Sequence, residues 1–202
     1  MEYRITLEKT SGKKIYVNPG DREGIYLYPS EIRRCRLEEG ASVTEEKLEQ
    51  MRLQFAYPRA KRRAVAILAK RDQTEQELRD KLMKSYTDSS SLEETMDFVR
   101  NCGYVNDLRY AREYLETRRH RKSFRMIRME LRRKGIPDRI LSLVAEEAGS
   151  QGESDLAPLV KKYLKRFPTM NDSAILKTEA HFYRKGYPAD LVRSVVRQVK
   201  EE

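Results

Sequence analysis

Arg125, Arg128 and Arg132 recur at i, i+3 and i+7, and Phe124, Ile127 and Leu131 recur at the same spacing one residue earlier. On a helix these two stripes are offset by about 100°, so the arginines flank an apolar face that must be buried. Guanidinium groups in such a row can grip phosphates or carboxylates as bidentate forks. Arg118, Arg119, Arg121 and Lys122 crowd the corner before the row, and Arg133 follows it. The chemistry on offer is the binding of an anionic surface, either DNA phosphate or acidic protein. The bland alternative is a solvated face whose arginine stems cover apolar surface.

Two further groups have the same character. Lys161, Lys162, Lys165 and Arg166 pair as helical neighbours, 161 with 165 and 162 with 166. Like charges there repel mildly, a cost that an anionic partner relieves and that a surface helix also tolerates. Arg62, Arg63, Lys70 and Arg71 make a weaker third cluster. Tyr104, Tyr110 and Tyr114 interleave with basic residues. Base stacking is open to them, but amphipathic rings suit the half-buried seam between repeats, and packing is the expected role.

Other chemistries find no support. His120 and His181 lack ligand spacing and are expected at the surface, so no metal site is expected. Cys35 and Cys102 are far apart and form no CxxC pair, which fits a reduced, cytoplasmic protein. Cys102, near a helix end, is expected to pack as a small hydrophobe. No phosphate loop, GxGxxG or GxSxG occurs. The expectation is a protein that is not an enzyme and takes no cofactor.

Charge placement sharpens this reading. The net charge is +10, yet residues 1–58 hold ten basic and ten acidic residues, so the whole excess lies beyond them. Residues 108–134 hold eleven basic and three acidic residues. A field of one sign this dense points to an anionic partner. No apolar run approaches the roughly 18 residues of a membrane span, and the start MEYRITLEKT lacks the apolar region of a signal peptide.

These residues need elements to position them. YRITLEKT alternates as a strand does, Asn18-Pro19-Gly20-Asp21 signals a turn, and IYLYP is rich in β-formers, predicting a meander of two or three strands. Helical pieces follow at about 30–38 and 45–55, separated by Gly40, with Thr44 capping the second and Tyr57-Pro58 closing the module. From 59 on the pattern is helical throughout. Val65, Leu68 and Ala69 share a face. Thr74 to Glu77 and Ser91 to Glu94 read as capping boxes. Leu78, Leu82, Leu92, Met96 and Val99 point inward. Gly103 ends a helix, Asn106-Asp107 caps the next, and Leu108, Ala111 and Leu115 line it. Gly149 to Ser154 reads as a linker. Leu156, Val160 and Leu164 belong to the helix after it, and Asp172 caps the next.

One phrase is written twice. RKGIPDRILSLV spans Arg133 to Val144, and RKGYPADLVRSV spans Arg184 to Val195. Arg-Lys suits the last turn of a helix, Gly135 and Gly186 a left-handed C′ residue, and Pro137 and Pro188 the first position of the next helix. Helix, tight corner, helix, twice over, suggests a repeated unit. The expected fold class is mainly α: an elongated array of three tandem three-helix repeats at 59–105, 106–148 and 155–202, preceded by a small β-containing module at 1–58. Each repeat alone is marginal, and stacked neighbours share burial.

AVAILAKRDQTEQELRDKL, GYVNDLRYAREYLETRR and FRMIRMELRRKGIPDRIL, in this order across about 60–200, resemble the RecX family. The chain departs from the family pattern at Asn106, where Asp is usual, and at Lys122-Ser123, where many members carry Gly. The resemblance implies an elongated chain of three-helix repeats. It also implies a cytoplasmic, monomeric regulator that binds RecA and the RecA–single-stranded-DNA filament. Such proteins inhibit the ATPase, recombination and SOS coprotease activities of RecA, and several bind DNA directly. A general nucleic-acid-binding helical-repeat protein without a RecA partner remains the alternative.

Overall fold

The computed structural model describes residues 1–85, 87–119, 121–148 and 151–201. They form two compact units, Met1–Asn106 and Asp107–Glu202. His120, and Gly149 and Ser150 of the expected linker, lie outside the described residues.

The first unit opens with strands β1 (Glu2–Arg4) and β2 (Thr6–Lys9), then β3 (Ile15–Asn18) and β4 (Ile25–Leu27). β2, β3 and β4 form the expected antiparallel meander, with Leu7 opposite Val17 and Ile15 opposite Leu27. β1 instead pairs with β5 (Ser42–Thr44), placing Tyr3 opposite Val43. The sequence reading missed this second sheet, because a three-residue strand with a single inward residue carries no alternation to detect. Ile5 is the switch between sheets. It is fully buried, its N–H donates to the Ala41 carbonyl, and its own carbonyl accepts from Gly40. Gly24 cannot carry a side chain, since a Cβ would lie 2.2 Å from the Val17 carbonyl oxygen.

After helix α1 (Pro29–Arg34), the chain forms α2 (Glu45–Met51), a π-helical turn over Arg52–Ala56, and α3 (Tyr57–Leu68) without a break. Thr44 caps α2 as expected, accepting from the Lys47 N–H. The expected stop at Tyr57-Pro58 does not occur. Proline lacks an N–H and its ring collides with the carbonyl four residues back, and a wider turn before it relieves both. Tyr57 accordingly donates to Arg52, five residues back. This continuous helix turns Ala56, Ala60, Ala64 and Ile67 inward. Val65, expected inside, is 40% exposed.

Helices α4 (Glu75–Met83) and α5 (Ser89–Asn101) complete the unit. The Thr74–Glu77 capping box is present. α5 starts earlier than the expected Ser91, with Asp88 as its cap. A second carboxylate reaches the same helix end from the strand module. Glu23 accepts from the Ser89 and Ser90 N–H groups and from the Ser90 hydroxyl. Lys14 donates to the Ser85 carbonyl at 2.6 Å, and Arg59 holds both Glu31 oxygens at 2.7 Å. The strands are thus fastened to the helices by charged hydrogen bonds as well as by apolar contact.

The second unit contains α6 (Asp107–Arg118), α7 (Phe124–Arg133) and α8 (Asp138–Ala148), then α9 (Gln151–Leu164), α10 (Asp172–Arg184) and α11 (Ala189–Glu201). Two apolar clusters fill it, one around Ile127, Leu131 and Leu141, the other around Leu156, Phe182 and Val192. The expected linker is helical from Gln151. Asn171, one residue before the expected Asp172, caps α10 by accepting from Ala174.

The doubled phrase builds the same corner twice. Gly135 and Gly186 both have φ of 83°. Gly135 donates to Arg132 and Ile136 to Leu131, while Gly186 donates to Tyr183 and Tyr187 to Phe182. That is the Schellman pattern with its apolar clasp. The prolines sit one position earlier than expected, as caps whose carbonyls accept the first helical bonds of Leu141 and Val192. At Gly103, with φ of 67°, the same pair of bonds forms, Gly103 donating to Arg100 and Tyr104 to Val99. The second corner also has a seat. Ser123 donates its N–H to the Lys185 carbonyl, and a Cβ on Gly186 would lie 2.4 Å from Met126 Cγ and 2.7 Å from Ser123 Oγ.

Two outcomes follow from these contacts. Gly103→Ala meets no neighbour and is expected to cost about 1–2 kcal/mol for the left-handed backbone alone. Gly186→Ala adds a steric displacement and should cost more in urea unfolding; equal losses would remove the seat from the account. For Glu23, burial acts to raise the carboxyl pKa, but the hydrogen bonds from Ser90 and Ser89 outweigh it and hold the pKa below the ordinary value. A depressed pKa contributes stability above the unfolded value and loses it as pH falls through the folded one. Glu23→Gln should therefore destabilise by on the order of 1 kcal/mol near neutral pH. The gap to wild type should close below about pH 4, and a gap unchanged down to pH 3 would count against this capping role.

Candidate anion-binding face

α7 carries the arginine row as a rigid element. Ser123 caps it, accepting from the Met126 N–H at 3.3 Å. Ile127 and Leu131 are fully buried and Phe124 packs beside them. Arg125, Arg128, Arg132 and Arg133 are all exposed. Burial of one stripe thus forces the other outward, as the spacing predicts.

The basic residues then divide by what they touch. Arg132 is paired with Asp138 across the corner, its Nε 3.1 Å from Oδ1. Lys122 and the Tyr114 hydroxyl both donate to Glu130. The Lys122 hydrogen bond leads in holding the Glu130 carboxyl below its usual pKa. Burial, and then the bond to Glu130, push the Tyr114 phenol up. Arg118 lies over the Tyr114 ring at 4.4 Å, and Lys134 lies over Tyr110 and Tyr114. Arg119 is 3.4 Å from Glu116. These contacts take up Arg118 and Lys122 in the α6–α7 seam and pair Arg119 with Glu116 of α6. Arg121, Arg125, Arg128 and Arg133 are exposed and have no ion-pair partner among the described residues.

The tyrosines pack. Tyr110 and Tyr114 stack on each other at 6.0 Å within the seam, and Tyr104 meets Phe98 edge-on at 6.1 Å. The seam lies inside a single three-helix group and not between repeats as expected, because both rings pack against the cluster around Ile127 and Leu131.

The other two clusters are less concentrated. Lys161 and Lys162 end α9, with Lys165 and Arg166 just past it. Cations there meet the negative end of the helix dipole, which gives them a structural reason to be present. Arg166 covers the Tyr163 ring at 5.4 Å, and that ring stacks on His181 at 4.1 Å. His181 is therefore half-buried, and burial, with Lys185, Arg184 and Arg166 nearby, lowers its pKa. In the first unit Arg62 folds back onto the Pro58 carbonyl, whereas Arg63, Lys70 and Arg71 line a hollow near the ends of α3 and α4. Sequence reasoning missed Lys81 and Lys84, which share that hollow. Their i, i+3 spacing was the available signal.

Cys102 is exposed, contrary to expectation, because the α5 C-cap position faces outward. Among the described residues no group of His, Cys, Asp and Glu could hold a metal ion. Nor is any described helix long and apolar enough to cross a membrane.

Comparison with known proteins places the arginine row in a defined context. A family model described as RecX, second three-helix domain, matches residues 106–142, which include all of α7. A regulatory protein RecX of Amycolatopsis mediterranei is 30% identical over 150 residues, covering 72% of this chain and 86% of that one. A regulatory protein RecX of Listeria monocytogenes is 27% identical over 177 residues, covering 85% of this chain and 65% of that longer relative. A crystal structure of a regulatory protein RecX covers 99% of this chain with a TM-score of 0.61 at 21% identity, a likeness of fold. Identity at this level over most of both chains, with the family model centred on the arginine-bearing helices, establishes that the chain belongs to the RecX family of regulatory proteins.

Proposed function

We propose that this protein regulates RecA by binding it and its filament on single-stranded DNA, and that it inhibits the ATPase, recombinase and SOS coprotease activities of RecA. One observation carries the reading. Arg121, Arg125, Arg128 and Arg133 stand exposed and unpaired on and beside one capped helix, within the segment that matches the family model. Exposed arginines held at fixed spacing suit carboxylates or phosphates displayed at fixed spacing. The names of the relatives support a regulatory role.

The three-helix groups are read as tandem repeats, each contributing a modest contact. Contacts on one chain add through effective concentration, so weak sites give tight binding to a repetitive partner. A bound regulator then opposes the conformational cycling on which ATP hydrolysis and strand exchange depend. The protein acts in this reading as a cytoplasmic monomer, without chemistry of its own. The basic residues near α9 and α3 serve as secondary contacts.

The test is RecA ATPase on single-stranded DNA with substoichiometric amounts of this protein, with and without excess free DNA. Inhibition should persist in excess DNA. Arg125→Glu with Arg128→Glu should weaken it at least tenfold, about 1.4 kcal/mol, with helicity unchanged. Inhibition abolished by excess DNA would favour the alternative of a nucleic-acid-binding protein that competes for the lattice. Full inhibition by the double variant would remove α7 as the contact face.

A further inference from the structure

Of the four lysines in residues 1–58, Lys9, Lys13 and Lys47 are exposed, whereas Lys14 is half-buried. Both ends of Lys14 are held. The Thr10 hydroxyl donates to the Lys14 carbonyl at 2.7 Å, and Lys14 Nζ donates to the Ser85 carbonyl at 2.6 Å. The side chain is therefore fixed in the wall of a cavity of about 130 Å³. One water takes roughly 30 Å³ of the liquid, so the cavity has room for a molecule of several heavy atoms. Ala56 and Ala60 give it an apolar side, and Arg59, Arg63 and Asp88 give it a charged one.

These surroundings work against an ammonium ion. Burial, and next the Arg59 guanidinium, outweigh Asp88 and Glu31 and push the Lys14 pKa down to about 8. Both carboxylates are engaged by other groups. Arg59 holds the two oxygens of Glu31 at 2.7 Å, and Asp88 caps α5 by accepting from the Ser91 N–H and hydroxyl. Near pH 7.5 about a quarter of Lys14 is then free amine, against about one in a thousand for an ordinary lysine. A desolvated lysine beside another cation is an activated nucleophile at neutral pH. Arg63 is exposed and lines the same cavity, so an anionic reagent entering it meets a guanidinium.

We infer that Lys14 is a covalent modification site, acylated by small acyl phosphates that enter the cavity with their phosphate on Arg63 and their carbonyl carbon at Lys14 Nζ. The free amine attacks that carbon. The bond from the carbon to the phosphate oxygen breaks, and the phosphate leaves with the electron pair and takes up the proton that the amine gives up. The product is an uncharged amide. It keeps one N–H for the Ser85 carbonyl, and it removes the charge that burial and Arg59 oppose. The inference rests on one side chain of the first unit and is independent of the reading of α7.

The experiment treats the folded full chain with acetyl phosphate at pH 7.5 and follows acetylation of each lysine by peptide mass spectrometry at low conversion. A lower pKa weakens a nucleophile while freeing it. The expected gain over Lys9 and Lys13 is therefore smaller than the gain in free amine, about tenfold or more. In chain unfolded by guanidinium chloride the gain should vanish. Arg63→Gln should slow acetylation of Lys14 by about threefold, the worth of one exposed ion pair, with Lys13 unchanged. The same variant should react as wild type does with a neutral reagent, the N-hydroxysuccinimide ester of acetic acid. Lys14 reacting no faster than Lys13 in the folded chain would overturn the site. An equal gain in the unfolded chain would overturn it too, because local sequence and not the cavity would then be the cause. An Arg63→Gln variant without effect, or with the same effect on both reagents, would overturn the seating of the phosphate on Arg63.

Discussion

A short helix that stops inside a packed unit leaves its last carbonyls without donors, and something must satisfy them without costing a turn of chain. Here the answer is one corner, a left-handed glycine whose neighbours donate back to the helix they leave. Gly103, Gly135 and Gly186 all adopt it. At the two doubled phrases the residue after the glycine is also the apolar clasp, Ile136 or Tyr187, and it belongs to the core. Because the corner both ends one helix and seats the next in the core, thin bundles of helices nine to fourteen residues long can hold together. At Gly186 the corner does more, since its bare Cα lets the chain rest on the start of α7. The helix that carries the exposed arginines is thereby held at its first turn.

Charge is the second organising quantity, and its uses differ sharply from residue to residue. The strand module is fastened to the first helical group by ions that the fold absorbs. Arg52 is almost wholly buried, donates to the Glu23 carbonyl at 2.6 Å and lies near Glu49 and Asp88. Desolvating such a group is costly unless partners surround it, and Glu45 and Glu49 of α2, Asp88 at the start of α5 and the Glu23 carbonyl converge there. In the α6–α7 seam, cations, tyrosines and Glu130 satisfy one another. Among the described cations outside these networks are a short row on α7 and those of a hollow near the ends of α3 and α4. Function is argued from that remainder, because a cation with no internal partner is free to meet an external one.

The sequence reading and the structure agree where the signal is local. Thr74 and Thr44 cap the helices they were expected to cap, and Leu78, Leu92, Ile127 and Leu156 face inward as their spacing requires. They part where a distant contact decides. Pro58 reads as a boundary, yet the wider turn before it carries the helix through. Val65 reads as core, yet the direction from which α3 arrives turns its alanines inward. The α5 start shifts toward Asp88, helped by a carboxylate more than sixty residues earlier in the chain.

By itself the sequence determined the helix corners, most of the caps, the buried faces and the family, because each depends on backbone conformation or side-chain period within a few residues. It also placed the arginine row on the edge of an amphipathic helix. Only the tertiary structure decided which of sixteen candidate cations are occupied and which are open. Arg118, Arg119, Lys122 and Arg132 look no different in sequence from Arg121, Arg125, Arg128 and Arg133. Their difference lies in Glu130, Asp138, Glu116 and the Tyr114 ring, groups whose positions are set by how helices pack. The hollow at α3 and α4 follows the same logic, since a concave site needs two helix ends to meet, and meeting is a property of the folded chain.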